Sequence, residues 1–270
     1  MNRNASIFAA FALLVATTAS AESITFGSTD ISAGDSWTET SSYSSNVSMS
    51  GVSHEKNVTC NKSSRVLAAG NNNRIESLEV TYADATFGAV AGKRYAVSAS
   101  GNSVDVSYAN GGTPSAEEVA FVRSDNAHLN QFRALDRIFG GNTFTVGTST
   151  SPHAKDAEEL VNLADGVELR GMALTLRSVS GTGADRVAKF DISMTLGSGV
   201  TEKKKGKAPA AGNGGMTMTL NGTLDVAVAN GRLLLLDVNG PISMTTRKPN
   251  NQAIADGSGS MSMRVSYSGF

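Results

Sequence analysis

"GGMTMTLNGTLDVAVANGRLLLLDVNGPISM", residues 214–244, is the stretch whose reading decides the fold class. Met216, Met218 and Leu220 alternate with threonines, and Leu224, Val226 and Val228 alternate with small or acidic residues. Residues two apart share one face of a strand, so this period predicts strands with one greasy side and one wet side. Ala229-Asn230-Gly231 is a turn signal between them.

The same period recurs along the chain. "SLEVTYADATF" (77–87) aligns Leu78, Val80 and Tyr82; "KRYAVSA" (93–99) aligns Tyr95 and Val97; "SVDVSY" (103–108) aligns Val104, Val106 and Tyr108 beyond a Gly101-Asn102 turn. "GMALTLRSV" (171–179) gives Met172, Leu174 and Leu176, and "RVAKFDISMTL" (186–196) gives Phe190, Ile192, Met194 and Leu196. "GSMSMRVSYSGF" (259–270) places Met261, Met263, Val265 and Tyr267 on one side. One-sided strands of this kind belong to an antiparallel sheet with one covered face.

Two segments carry a helical period instead. In "TPSAEEVAFVRSDNAHLNQFRALDRIFGG" (113–141), Pro114 suits a first turn, Ser115 with Glu118 fits a capping box, and Gly140-Gly141 fits the stop. Val122, Leu129, Phe132, Leu135 and Phe139 form its apolar stripe. In "SPHAKDAEELVNLADG" (151–166), Ser151 is the expected cap, with Ala157, Leu160, Val161 and Ala164 on one face. The expected fold is mainly β (α+β), a curved antiparallel sheet or half-barrel covered by two helical segments. "ITFGSTDISAGDSW" (24–37) and "NTFTVGTSTSPH" (142–153) each set a short apolar strand before a turn, a loose echo between two halves that would meet near 112–166.

The chain has 270 residues. Its start reads as an export signal over 1–21: Arg3, the apolar run "IFAAFALLVA" (7–16), then the small residues "TASA" (18–21). That run is short of the roughly 20 residues that span a bilayer, so cleavage after Ala21 is expected. Residues 22–270 then form a single β-rich domain without a transmembrane segment, destined for the periplasm or the cell exterior. Losing Arg3 leaves 22 basic against 24 acidic residues, a balance that excludes a strongly basic nucleic-acid surface. Cys60 is the only cysteine, so no internal disulfide is available and the core must hold the domain together.

A hairpin feeding a helix, "VAGKRYAVSASGNSVDVSYANGGTPSAEEV" (90–119), with "FTVGTSTSP" (144–152) and the meander "GTLDVAVANGRLLLLDVNG" (222–240), resembles exported bacterial proteins with a LolA/LppX-like half-barrel. The resemblance implies helices lying across a concave sheet, and carriage of lipid or acyl chains in the cell envelope.

The residues themselves supply a greasy face and little else. Met172, Met194, Met216, Met218, Met244, Met261 and Met263 fall in expected strands. Methionine adapts to irregular apolar shapes, which suits either a ligand cavity or ordinary core filling. The candidate ligand-binding set is Leu174, Leu176, Phe190, Ile192, Met194, Met216, Met218 and Leu220 on the sheet, with Phe132 on the covering helix. His54, His128 and His153 are far apart, and no HxH, HExxH or CxxC spacing marks a metal site. No GxSxG elbow is present, and Asp191, Asp225 and Asp237 have no partners visible in sequence. "KKKGK" (203–207) reads as a solvated loop, with docking on anionic headgroups as the alternative. Trp37 reads as a packing residue. An outer-membrane barrel fits poorly, because aromatics are 6% of the chain, too few for two girdles, and Phe270 is out of phase with Met261–Tyr267. The expectation is a non-enzymatic envelope protein, with no cofactor or metal, that holds a lipid or acyl ligand. The alternative is a structural or protein-interaction module with a filled core, partnered by another envelope protein.

Overall fold

Two meanders, one from each half of the chain, join side by side into one sheet. The computed structural model describes residues 21–100, 103–126, 129, 131–161, 167–198, 214–247 and 253–269. Residues 1–20 of the expected signal, Gly101-Asn102, His128, Ala164, the basic run 203–207 and Phe270 lie outside them.

The first meander is β2 (Ser36–Met49), β3 (Val52–Gly70), β4 (Arg74–Ala85), β5 (Arg94–Ser100) and β6 (Ser103–Tyr108). The second is β8 (Ser149–Thr150), β9 (Val167–Ser180), β10 (Val187–Ser198), β11 (Gly214–Ala227), β12 (Leu233–Arg247) and β13 (Ala253–Ser268). β13 pairs antiparallel with β2, aligning Met263 with Tyr43, and this closes an 11-stranded sheet in the order β6-β5-β4-β3-β2-β13-β12-β11-β10-β9-β8. The sheet is curved and does not close into a barrel.

This order dictates where the helices lie. The first meander ends at one edge, β6, and the second begins at the other, β8. Ten interstrand steps of about 4.8 Å separate the two edges if the sheet is flat. The intervening chain must cross that span, and it does so as α1 (Ala116–Asp125), α2 (Gln131–Phe139), β7 (Thr143–Thr145) and, just past β8, α3 (Ala154–Val161). α1 lies against β6, α2 against α3, and α3 against β9.

Curvature has a local cause on the inner face. Gly222, Gly240 and Gly259 sit on adjacent strands β11, β12 and β13. An added Cβ would come within 1.9 Å of the Asp237 carbonyl oxygen at Gly222, 1.9 Å of that of Thr219 at Gly240, and 2.0 Å of that of Asn46 at Gly259. Only glycine permits so close an approach between strands, and glycine kinks of this kind bend a sheet.

The alternation read from sequence maps onto burial. Phe190, Ile192, Met194 and Leu196 are buried on β10, while Asp191 and Ser193 face outward. Four rings fill the space beneath α2: Phe26–Phe139 at 5.2 Å, Phe139–Phe190 at 5.5 Å and Phe144–Phe190 at 5.2 Å between centroids. Trp37 is buried edge-on against Phe132 at 5.0 Å, a packing role. The two segments with echoing sequence pair with each other: β1 (Ser23–Thr25) runs antiparallel to β7, with Ile24 opposite Phe144.

The expected helix over 113–141 is two helices. The capping box forms, Ser115 Oγ accepting from the Glu118 amide at 3.2 Å and Glu118 Oε2 from the Ser115 amide at 2.9 Å. α1 then stops at Asn126, whose Nδ2 donates to the Val122 carbonyl at 2.8 Å and to the Tyr82 hydroxyl at 2.9 Å. A side chain competing for backbone partners in this way ends a helix. Gly140 and Gly141 terminate α2 as expected, the Gly140 amide donating to the Asp136 carbonyl and Gly141 taking a φ of 69°. α3 begins at Ala154, and the His153 carbonyl accepts from the Asp156 and Ala157 amides.

Candidate functional site: a cleft at the seam of the two meanders

β2 and β13 carry the join between the halves, and their inner faces differ from those of their neighbours. On β10 the inward residues are apolar throughout the helical cover. On β2 they run Trp37, Glu39, Ser41, Tyr43, Ser45, Val47 and Met49, buried at first and then only half-buried. On β13 Tyr267, Val265, Met263 and Met261 are all half-buried. The missing bulk leaves a cleft of about 270 Å³ between this seam and the helices. Its floor is Leu233 and Leu236 of β12 with Met263 and Val265 of β13, and Leu160 and Val161 of α3 form one wall. Glu39 and Ser41 of β2, Ser124 and Asp125 at the end of α1, and Gln131 at the start of α2 make the other end polar.

Behind that polar end a charged network ties α1 to the sheet. Lys62 of β3 is 1% exposed. Its Nζ donates to Asp125 Oδ2 at 2.7 Å and lies 3.4 Å from Glu39 Oε2. Asp125 Oδ2 also accepts from the Tyr82 hydroxyl at 2.7 Å. Burial alone would pull the Lys62 ammonium down, but Asp125 and Glu39 outweigh it and hold the lysine charged. Glu39 is pushed up from the ordinary carboxylate value by burial, with Lys62 opposing. Burial, reinforced by Asp125, pushes the Cys60 thiol up to about 12, so this cysteine is a packing group rather than a nucleophile. Tyr267, raised by burial and by Glu39, donates to Gln131 Oε1 at 3.3 Å.

A second carboxylate anchors the other end of α1. Glu118 accepts from Lys93 Nζ at 2.7 Å, the Tyr95 hydroxyl at 2.8 Å and the Tyr108 hydroxyl at 3.0 Å. Lys93 first, then the Ser115 amide and the Tyr95 hydroxyl, hold its carboxyl well below the ordinary range. A hollow of about 500 Å³ beside it is bounded by Gly92, Arg94 and Asn110, and its Lys93 is already committed to Glu118.

The residues expected to bind a ligand lie together, though not in the cleft. Ile192 is paired with Leu174, Phe190 with Leu176 and Leu224, Met194 with Leu220, and Leu196 with Met218 across adjacent strands. Leu174, Leu176, Phe190, Ile192, Met194, Met218, Leu220 and Phe132 are each no more than 6% exposed, covered by the protein's own atoms. Met216 is half-buried. None of the nine lines the cleft. Of the cleft residues, Met263, Val265 and Tyr267 were legible as one apolar side of β13. Glu39, Ser41 and Asp125 carried no apolar signal at all.

The other candidates have structural placements. Asp191 pairs with Arg177 at 3.4 Å, Asp225 with Lys189 at 3.8 Å, and Asp237 with Arg264, all as cross-strand pairs on the outer face. His54 is exposed on β3. Among the described residues no group of three His, Cys, Asp or Glu side chains is placed to hold a metal. No helix among them is long and apolar enough to cross a membrane.

No protein-family model matches the chain, and no curated protein matches it. Among solved structures it is similar to a DUF1329 family protein from Desulfovibrio piger, at 10% identity over 87% of this chain and 84% of that one, with a TM-score of 0.21. A likeness of that size carries no argument about function.

Proposed function

We propose that this is an exported, non-catalytic protein of the cell envelope that holds an apolar ligand in the seam cleft. One observation carries the reading: the apolar inner face continues beyond the residues that line the cleft. From Met263 the inner face runs on to Met261, Val47, Met49 and Met244, all half-buried. Met49, Gly257, Met244 and Met216 are successive cross-strand partners in one row. An acyl chain seated on such a floor is held by burial alone, each enclosed CH₂ contributing about 0.8 kcal/mol. Methionine, soft and unbranched, accommodates chains of varied shape. The LolA/LppX-like pattern in the sequence and the expected signal at 1–21 agree with an envelope lipid handler.

The filled core beneath α2 and α3 supports a second reading, a structural or interaction module without a ligand. Native mass spectrometry of protein purified from its host envelope separates the two. The ligand reading expects a bound mass of lipid size that is lost in Met263→Glu, with an unchanged circular dichroism spectrum as the control for folding. Bare chain in every preparation would favour the module.

A further inference from the structure

The cleft is chemically lopsided, and this deepens the ligand reading on which it rests. We propose that it selects a single-chain amphiphile whose polar end donates hydrogen bonds, an ammonium above all, with that end set among Glu39, Asp125 and Gln131 and the chain laid over Met263 toward Met261.

Three features carry the assignment. The first is size. About 270 Å³ falls just below the range of sites for small molecules, about 300 to 1,000 Å³, so the enclosed part takes a head and the start of one chain. The rest of the chain follows the half-buried methionines beyond the cleft, Met261 and then Met244. A two-chain lipid has no second apolar channel beside Val265, because Val238 on β12 and Leu220 and Leu224 on β11 are already buried against protein.

The second is the character of the polar end. Two carboxylates, an amide and the hydroxyls of Ser41 and Ser124 face the cleft there. The nearby cation, Lys62, is behind the wall with its Nζ directed at Asp125 and Glu39. A carboxylate or phosphate head would meet Asp125 and the buried Glu39 with the lysine turned away and only the neutral Ser41, Ser124 and Gln131 groups to donate to it, a desolvation and repulsion cost. A head with N–H or O–H groups meets acceptors.

The third is position. The acceptors sit at the end of the cleft where α1 stops and α2 starts, and the apolar floor leads away from them. Head and tail therefore have one orientation.

The test uses the full chain with its signal removed, titrated by calorimetry with four probes of one chain length: octylammonium, octyl glucoside, octanol and octanoate. The expected order puts octylammonium first and octanoate last, separated by at least about tenfold in Kd, the equivalent of about 1.4 kcal/mol. Glu39→Gln narrows that gap, and Met263→Trp, which fills the floor, weakens all four. Octanoate binding as tightly as octylammonium overturns the head-group assignment while leaving an apolar site in place. Equal binding by wild type and Met263→Trp places the ligand elsewhere and overturns the proposal. No binding by any probe overturns it together with the apolar-ligand reading.

Discussion

The two halves of the inner face are covered by the same helical crossing and attached to it by different chemistry. Over β9 to β12 the attachment is apolar: Phe190, Ile192, Met194 and Leu220 meet Phe139, Leu135 and the α3 residues in a dry core. Over β2 to β6 ring contacts such as Trp37–Phe132 and Tyr82–Phe121 are joined by polar anchors. Lys62, Tyr82 and Asn126 grip the end of α1, and Lys93, Tyr95 and Tyr108 grip Glu118 near its start. Apolar packing closes on itself and tolerates voids poorly. Hydrogen-bonded anchors fix a helix at points and leave space between them. The cleft falls where one regime gives way to the other, at the β2–β13 join.

The comparison breaks first at its apolar side. Phe190→Ala removes a ring that touches Phe139 and Phe144 and that sits opposite Leu176 and Leu224; urea unfolding should show a loss of about 4 kcal/mol. A loss near 1 kcal/mol would mean that this half is loosely packed and that no contrast exists. Asp125→Ala comes next. It leaves Lys62 buried with less compensation, at a cost of about 3 kcal/mol. The companion double variant Asp125→Ala/Lys62→Met should recover much of that loss, because it removes the stranded charge. Failure to recover would show that the loss comes from the Tyr82 hydroxyl, deprived of its Asp125 acceptor, rather than from the stranded lysine.

Much of this contrast was present in the sequence, and the part that was hidden has physical causes. The apolar half was legible because every second residue from Phe190 to Leu196 is greasy, and a period of two survives whatever the sheet does globally. The capping box at Ser115 and Glu118 was legible because both members are three residues apart. The break at Asn126 was not, since its partner Tyr82 is 44 residues away. β2 was missed because its inward positions after Trp37 are Glu39, Ser41, Tyr43 and Ser45, with no apolar stripe to read. That polarity belongs to a wall facing a cleft, and the cleft exists only because β2 meets a strand about 220 residues later in the chain. The seam residues of β2 leave no local period, whereas their partners on β13, Met261 to Tyr267, do. The expected ligand set, Leu174 to Leu220, was read from such a local period, and it lies in the filled core and does not line the cleft.

The smallest expected effect tests the polar anchors by pH. Glu118 titrates below its ordinary value of 4.5 in the folded protein, mainly through Lys93, so it binds fewer protons folded than unfolded. Its contribution is therefore present in full above the ordinary carboxylate value and fades as pH falls below it. Glu39 has the opposite sign: burial raises it, so the folded state favours the protonated form, and its share of stability is lost as pH rises above 4.5. Other carboxylates titrate in the same range, and a difference between variants removes them. Glu118→Gln should lower Tm at about pH 7 by an amount that shrinks steadily as pH falls below 4.5, whereas Glu39→Gln should differ least from wild type at the acid end and gain on it toward neutrality. Parallel Tm profiles for Glu118→Gln and wild type would show that the Lys93–Tyr95–Tyr108 cradle holds the amide as well as it holds the carboxylate. The first anchor of α1 would then owe its strength to shape and hydrogen-bond count rather than to charge, and the contrast between the two halves of the face would reduce to the Lys62 network alone.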